Sequence, residues 1–233
     1  MKEKEIEFNN NTYTYTYDEN DVSGLGCEFE IVTNGEYGLE RFKDIKDKIF
    51  IDIGANHGLG TIILSKQNPL SKIFSFEPNP SVFQILKTNV NNNGLNNVIL
   101  INKAVHSNKN LKLMKHPYCS GANIMGESTS KVNQYYKGEN LRATEISVDT
   151  ISFDDFLIDN KISEIFLLKI DCEGSEFDIL GNSKMLFKKT TISNIVGEFH
   201  DLSYNDVDLT SANLIKLCTN NIHGIIDISI LKQ

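Results

Sequence analysis

A short apolar run that ends at an acidic residue and a glycine-rich turn constrains this chain more than any other segment. The run Ile49-Phe50-Ile51-Asp52-Ile53 is typical of a buried parallel strand, and Gly54-Ala55-Asn56-His57-Gly58 follows it directly. Glycines at a strand-to-helix turn let the backbone approach a ligand closely, and the helix N-terminus offers free N–H groups. This segment therefore predicts a strand, a ligand-binding turn and a helix.

Strands and helices alternate along the rest of the chain. Further strands are predicted at 72–77, 98–105, 165–170, 194–199 and 225–231, and helices at 58–67, 81–91, 152–158, 176–186 and 210–220. Such alternation is typical of an α/β fold with a doubly wound, mostly parallel sheet, in which ligands bind at the carboxyl ends of the strands. The segment at about 114–146 is too long for an ordinary connection, and we interpret it as a lid or acceptor loop.

The N-terminal segment follows a different pattern. Period-two alternation on both sides of Asn9-Asn10-Asn11 predicts an N-terminal β-hairpin, in which the alternate tyrosines of 13–17 share one face. That face either covers the core or stacks on a ligand. Apolar spacing predicts a short helix at 34–47. We therefore divide the chain into a hairpin extension at 1–33 and one α/β domain at 34–233.

Charge and composition exclude several classes of protein. The formal net charge of −8 over 233 residues disfavours a partner such as nucleic acid or an anionic membrane surface. No apolar run approaches the ~18 residues that a membrane span needs, and the charged N-terminus does not resemble a signal peptide. The four cysteines form no CxxC pair, so neither a zinc site nor a disulfide framework is predicted. We expect a cytoplasmic protein.

An acidic residue ends the second strand of the alternating region. Glu77 follows the glycine turn at close to the ~20 residues expected for an acid that binds a ribose diol. A dinucleotide would place its pyrophosphate on the turn, whereas S-adenosylmethionine would place a methionine tail and a sulfonium there. Asp52 would repel a pyrophosphate, and the turn lacks the third glycine of a dinucleotide fingerprint. The residues favour a methyl donor, with a nicotinamide cofactor or a turn that binds nothing as alternatives.

Five motifs, in this order, resemble those of the FkbM family of S-adenosylmethionine-dependent methyltransferases. They are Phe50-Ile51-Asp52-Ile53-Gly54-Ala55-Asn56-His57-Gly58, Phe76-Glu77-Pro78-Asn79-Pro80, Asn102-Lys103-Ala104-Val105, Leu168-Lys169-Ile170-Asp171-Cys172-Glu173-Gly174-Ser175-Glu176 and Glu198-Phe199-His200. The resemblance covers about 36–200 and implies a Rossmann-like methyltransferase fold. It also implies O-methylation of a small acceptor, often a sugar or polyketide hydroxyl.

The resemblance further implies a donor site for S-adenosylmethionine. Its predicted members are Glu36, Asp52, Gly54, Asn56, His57, Gly58, Glu77, Pro78, Asn102, Ala104 and Asp171. Residues 52–58 would line the methionine portion, Glu77 would hold the ribose, and 102–104 would lie near the adenine. Glu36 or Glu40 would approach the donor's amine, unless both lie on a solvated helix face.

The acceptor side is predicted at the ends of the fourth and fifth strands. The candidates for a catalytic base there are Asp171, Glu173, Glu198 and His200. An alkyl hydroxyl is poorly acidic, so a base that removes its proton adds typically 10²–10⁴-fold to the rate. Glu198 and His200 share one face of their strand, and their alternative role is a structural bond with the turn at 171–176. Glu176 is expected to cap the following helix.

Closely spaced carboxylates must pair, share a proton or contact a cation. The cation would be the sulfonium or a divalent metal, and no metal ligands are assigned from the sequence. We expect an O-methyltransferase with a small-molecule acceptor, and we consider a homodimer as its assembly. The alternatives are a nicotinamide-dependent oxidoreductase and a protein that binds S-adenosylmethionine without catalysis. A nucleic-acid methyltransferase is disfavoured by the acidic charge.

Overall fold

A computed structural model describes residues 1–109, 112–116, 118–122, 124–126, 144–201 and 211–232. The strands, in chain order, are β1 (Lys2–Phe8), β2 (Asn11–Tyr17), β3 (Ile49–Ile53), β4 (Lys72–Phe76), β5 (Val98–Ile101), β6 (Ala104–Val105), β7 (Lys112–Lys115), β8 (Ile124–Gly126), β9 (Thr144–Ser147), β10 (Thr150–Ile151), β11 (Glu164–Ile170), β12 (Thr191–Asp201) and β13 (Ile226–Lys232). The α-helices are α1 (Val22–Glu28), α2 (Leu59–Gln67), α3 (Pro80–Asn92), α4 (Phe153–Asp159), α5 (Glu176–Asn182) and α6 (Ser211–Asn221).

Six strands form one parallel sheet in the order β13-β12-β11-β3-β4-β5. Successive side chains of a strand point to opposite faces, so the central strands supply two separate cores. Phe50 of β3 and Leu167 of β11 pack into one core, whereas Ile51 and Leu168 pack into the other. This arrangement confirms the predicted doubly wound, mostly parallel sheet of Rossmann-like type.

The N-terminal β-hairpin is also confirmed, since β1 and β2 pair in antiparallel register. Tyr13 and Tyr15 are fully buried in the core that contains α2 and α3, so this face of the hairpin covers the core. Two asparagines of α3 bind the backbone of β2. Asn89 accepts the N–H of Thr16 at 2.6 Å and donates to its carbonyl at 2.8 Å, and Asn93 does the same with Thr14. The two amide side chains thus make the backbone hydrogen bonds to β2 that a neighbouring strand would otherwise make.

The prediction of a helix at 34–47 is wrong. The structure has a 3-10 helix at Glu36–Arg41 that is interrupted by left-handed backbone at Tyr37 (φ 63°) and Gly38 (φ 53°). Left-handed residues cannot continue an α-helix, and Asp44 has positive φ as well. The apolar spacing there belongs to a compact turn whose Leu39 and Phe42 side chains are buried.

Two other boundaries differ from the prediction. The hairpin does not fill 1–33, because α1 and a π-helix at Phe29–Thr33 follow it. The predicted strand at 98–105 is divided into β5 and β6, and β6 pairs with β10 rather than joining the central sheet. The helix predicted to begin at Glu176 and to end near Gly181 or somewhat later is α5, which ends at Asn182.

The predicted lid or acceptor loop lies only partly within the described residues. β7, β8 and β9 form a small antiparallel sheet at its two ends, and 127–143 lies outside the described residues. In the part of the chain that the structure describes, none of the helices has the length and apolar character that spanning a bilayer requires.

Candidate active site

A cavity of about 500 Å³ opens at the carboxyl ends of β3, β4, β11 and β12. The turns after these strands supply much of its lining, including 52–56, 76–78 and 171–173. Residues of α1 and of the segment 118–122 line it as well. The cavity therefore lies where an open α/β sheet is expected to bind its ligand.

The backbone of the turn after β3 packs directly against the backbone at the end of β11. A Cβ at Gly54 (φ 79°) would lie 1.7 Å from the carbonyl oxygen of Asp171. The N–H groups of Gly54 and Ala55 donate to the carbonyl of Phe76, at 3.1 and 2.9 Å. Only glycine fits at position 54, because both the φ angle and the close approach exclude a side chain. The turn thereby fixes the ends of β3, β4 and β11 relative to one another.

Glu77 is a buried carboxylate bound by backbone N–H groups. Oε2 accepts the N–H of Asn56 at 3.0 Å, and Oε1 accepts the N–H of Asn79 at 2.8 Å. Burial raises the pKa of the Glu77 carboxyl to about 7, although both N–H donors favour the ionised form. Asn102 donates to the carbonyls of Glu77 and Pro78, at 2.8 and 3.1 Å, so it fixes this turn from behind.

Asp52, predicted to line the methionine portion of the donor, is paired within the protein. Oδ1 lies 3.2 Å from Nζ of Lys169, and Oδ2 accepts the hydroxyl of Thr61 at 2.6 Å. Lys169 also donates to the carbonyl of Gly54 at 3.3 Å. Burial lowers the pKa of Lys169, but the carboxylates of Asp52 and Asp171 outweigh it and keep that pKa above its usual value. The pair ties β3, β11 and α2 together beneath the turn.

His57 lies behind the turn rather than in the cavity lining. It is fully buried, and Nε2 lies 3.3 Å from Oδ2 of Asp21, the residue that caps α1. Asp21 also accepts the N–H of Ser120 at 2.9 Å. Burial raises the pKa of Asp21, but the bonds with His57 and Ser120 outweigh it and lower the pKa to about 2. His57 thus connects the turn to two segments that line the cavity.

Four carboxylates surround the imidazole of His200 at the ends of β11 and β12. Nδ1 lies 2.9 Å from Glu176, and Nε2 lies 3.6 Å from Glu173, 3.7 Å from Glu198 and 3.9 Å from Asp171. Burial lowers the pKa of His200, but the bond with Glu176 and the charges of Glu173 and Asp171 raise it to about 9. We call these five side chains the His200 cluster.

Two residues from the 3-10 helix reach this cluster. The hydroxyl of Tyr37 donates to Oδ2 of Asp171 at 2.8 Å. Burial and the negative charge of Asp171, with a hydrogen bond from the protonated Glu198 carboxyl to Glu36, raise the pKa of Glu198 to about 9. The left-handed turn at Tyr37 therefore places both side chains against the His200 cluster.

The structure brings together most of the residues predicted for the site. The lining contains Glu36, Asp52, Gly54, Asn56, Glu77, Pro78, Ala104, Asp171, Glu173 and Glu198. It does not contain His57, Gly58, Asn102 or His200, which lie behind it, and Glu40 is exposed elsewhere. Glu176, expected to cap α5, is fully buried against His200 and accepts the N–H of Cys172 at 2.9 Å.

Sequence reasoning missed Lys169 and Tyr37. A lysine within the apolar run of β11 was a usable signal, because a charged side chain in a buried strand requires a buried partner. Tyr37 gave no such signal, since its position depends on a backbone turn that apolar spacing does not show.

Comparison with known proteins gives one family and several relatives. Residues 52–223 match the model of the methyltransferase FkbM domain. The chain is 28% identical to Methyltransferase 1 of Beauveria bassiana over 69% of both chains. It is 26% identical to Methyltransferase sdnD of Sordaria araneosa, over 68% of this chain and 70% of that one. It is 25% identical to the 2-O-methyltransferase NoeI of Sinorhizobium fredii, over 72% of this chain and 68% of that one.

Two solved structures show partial likeness. The first is TYW2 of M. jannaschii in complex with AdoMet, at 21% identity and a TM-score of 0.29 over 42% of both chains. The second is a putative rRNA-methylase of Clostridium thermocellum, at 8% identity and a TM-score of 0.38 over 78% of this chain and 76% of that one.

Proposed function

Because the chain belongs to the FkbM family and is an S-adenosylmethionine-dependent methyltransferase, we propose that it methylates a hydroxyl of a small acceptor. The proposed acceptor is a sugar, a glycan precursor or another biosynthetic intermediate. One observation carries this proposal: a single cavity is bordered by Glu77 on one side of the glycine turn and by the His200 cluster on the other. The name of the 2-O-methyltransferase relative supports a hydroxyl as the methylated group.

The donor end of the cavity fits the nucleoside of S-adenosylmethionine. Glu77 has each carboxylate oxygen bound by one N–H, which leaves lone pairs on both oxygens for the two ribose hydroxyls. The volume of about 500 Å³ is typical of small-molecule sites. When bound, the donor supplies an electrophilic methyl group on its sulfonium. Glu77 would hold the ribose, and 54–56 would lie along the methionine portion.

The acceptor end would hold the hydroxyl and take its proton. The acceptor oxygen forms the new bond to the methyl carbon while the sulfur–carbon bond breaks, and the hydroxyl proton must pass to a base. We assign this base to Glu173, whose Oε2 faces the cluster 3.6 Å from His200. Its backbone is left-handed (φ 54°) beside Gly174, a conformation that costs of order 1–3 kcal/mol and is common at functional sites. Asp171 and Glu198, which line the cavity, would orient the hydroxyl, and His200 would position these two carboxylates from behind.

The experiment that tests this function is an acceptor screen. Purified protein, a ¹³C-methyl donor and a panel of sugars, nucleotide sugars and other hydroxylated intermediates are incubated, and S-adenosylhomocysteine release is measured. We expect turnover with a hydroxylated acceptor and a ¹³C-methyl ether signal in its NMR spectrum. Donor binding without turnover on any acceptor would favour the non-catalytic alternative. Methyl transfer to nitrogen or carbon would contradict the choice of hydroxyl.

Family membership decides against the nicotinamide-dependent oxidoreductase. A cytoplasmic location and a homodimer stay predictions, and gel filtration of the purified protein tests the second.

A further inference from the structure

The ligand atoms of Asp171, Glu198 and His200 form a compact group at the acceptor end. One carboxylate oxygen of each acid and one imidazole nitrogen all lie within 4.8 Å of one another. Protein ligands lie about 2.0–2.6 Å from a divalent cation, so two ligands of one ion are at most about 5 Å apart. The three side chains therefore present their ligand atoms at separations that one ion can bridge.

His200 directs Nε2, which has no hydrogen bond to the part of the chain that the structure describes, into this group. The side chain is only 1% exposed. Nδ1 bonds to Glu176, whereas Nε2 makes no hydrogen bond with any described residue and lies 3.6 Å or more from the three other carboxylates. Histidines that bind metals have this arrangement, in which one nitrogen binds the ion and the other bonds to a carboxylate. Glu176, itself fully buried, stands where that second carboxylate is required.

The surrounding charge favours a cation. Glu36 and Glu173 add two more carboxylates to the lining beside the group. Among the lining residues that the structure describes, the lysines are Lys103 and Lys169, and Lys169 is paired with Asp52. Carboxylates that are crowded out of water are costly unless a positive charge compensates them. A protonated His200 supplies one such charge, and a divalent ion that replaces the proton on Nε2 supplies two at the point where the oxygens converge.

We propose that Asp171, Glu198 and His200 bind a divalent cation through two carboxylate oxygens and Nε2. Carboxylate and imidazole ligands together suit ions such as Mn²⁺, Fe²⁺ and Zn²⁺. Three protein ligands leave positions open for an oxygen of the acceptor. This acceptor role rests on the proposed O-methylation, whereas binding of the cation does not. The bound ion would stabilise the developing alkoxide, and the proton would still leave to Glu173.

Mn²⁺ is the probe, because its unpaired electrons report its ligands. The full chain is treated with a chelator, Mn²⁺ binding is measured by calorimetry, and ¹⁴N coupling is measured by pulsed EPR. We expect a saturable site with ¹⁴N coupling from one imidazole. Glu198→Gln and His200→Gln should weaken binding at least about tenfold, and His200→Gln should remove the coupling. Glu176→Gln should weaken binding about 10–100-fold through the orientation of His200.

Glu173→Gln is the matched control, because it removes a carboxylate that is as near to Nε2 but lies outside the three-atom group. It should keep the ¹⁴N coupling and lose less than about tenfold in Mn²⁺ affinity. Asp171→Asn serves as another ligand variant if His200→Gln fails to fold by circular dichroism. Equal Mn²⁺ affinity in the wild type and all folded ligand variants would overturn the proposal, as would binding without ¹⁴N coupling or no binding at millimolar Mn²⁺.

The two proposals fail in different ways. Methyl transfer to a hydroxyl by chelator-treated protein that binds no Mn²⁺ would overturn the cation site and leave the O-methylation intact. Mn²⁺ binding with ¹⁴N coupling, but without O-methylation of any acceptor, would support the site and contradict its acceptor role.

Discussion

Lys169 is an ionic residue inside an otherwise apolar strand, and its stabilising role depends on Asp52. Both side chains are excluded from solvent, at 4% and 0% exposure. We expect Lys169→Met to lower the free energy of unfolding by about 3–5 kcal/mol, because Asp52 is left buried without its counter-charge. Urea unfolding followed by circular dichroism measures this change.

A double variant separates charge from packing at this pair. Adding Asp52→Asn to Lys169→Met should recover part of the loss, since no uncompensated charge then remains. Lys48→Met is the control, because that lysine is about half exposed near Glu164 and should change stability by no more than about 0.5 kcal/mol. Equal stability of Lys48→Met and Lys169→Met would show that the buried pair is not required.

The proposed ribose contact of Glu77 predicts that donor binding depends on pH. The pKa of Glu77 in the free protein is raised to about 7, chiefly by burial. In that contact the ionised carboxylate would accept both ribose hydroxyls, whereas the protonated acid has lost an acceptor site. Affinity for S-adenosylhomocysteine should therefore rise as pH increases through about 7. Calorimetry between about pH 6 and 8 tests this expectation, and S-adenosylhomocysteine is used because it lacks the sulfonium charge.

Glu77→Gln gives the comparison for that pH profile. It should weaken binding by about 1.5–3 kcal/mol through loss of charged hydrogen bonds, and its affinity should not vary over the same pH range. A wild-type affinity that is constant with pH would count against the assignment of Glu77 to the ribose.

At the scale of elements, the central strands could be predicted because burial on both faces leaves an apolar run in the sequence. β3, β4 and β11 are such runs. The segment at 34–47 could not be predicted, because left-handed backbone at Tyr37 is decided by tertiary contacts and not by apolar spacing. The site likewise contains residues that sequence motifs identify and residues whose roles depend on tertiary contacts. Motifs located Glu77 and Asp171, whereas the role of Glu176 appears only once α5 places it against His200.

The turn between β3 and α2 tolerates no side chain at Gly54. We expect Gly54→Ala to lower stability by about 3 kcal/mol or more, because its Cβ would meet the carbonyl of Asp171 in a positive-φ conformation. Gly94→Ala is the matched control, since Gly94 has φ 63° but no atom lies within 4 Å of a Cβ there. It should cost about 1–2 kcal/mol. Equal losses in thermal unfolding would show that φ alone, and not the close approach, makes glycine necessary.

At the scale of the whole molecule, the hairpin and the sheet share one core. Tyr13 and Tyr15 pack with Ile62 of α2 and Leu86 of α3. Asn89 of α3 connects the hairpin to the glycine turn. It forms hydrogen bonds with both backbone groups of Thr16 and donates to the carbonyl of His57 at 2.7 Å. A boundary near residue 33 therefore divides residues that pack together, and we expect the chain to unfold as one unit rather than as an extension and a domain.

Asn89→Ala tests this coupling. The variant leaves three buried backbone groups without partners, two of Thr16 and one of His57. Each costs about 1–3 kcal/mol, so stability should fall by about 3 kcal/mol or more. The chain has no tryptophan, so a single tryptophan introduced by Tyr17→Trp reports the hairpin by its fluorescence, and far-UV circular dichroism reports the whole chain. In that background the two signals should change together in urea, with and without Asn89→Ala. Asn96→Ala, at an exposed position, should change neither midpoint. A fluorescence transition that precedes the dichroism transition would instead establish 1–33 as an independent extension.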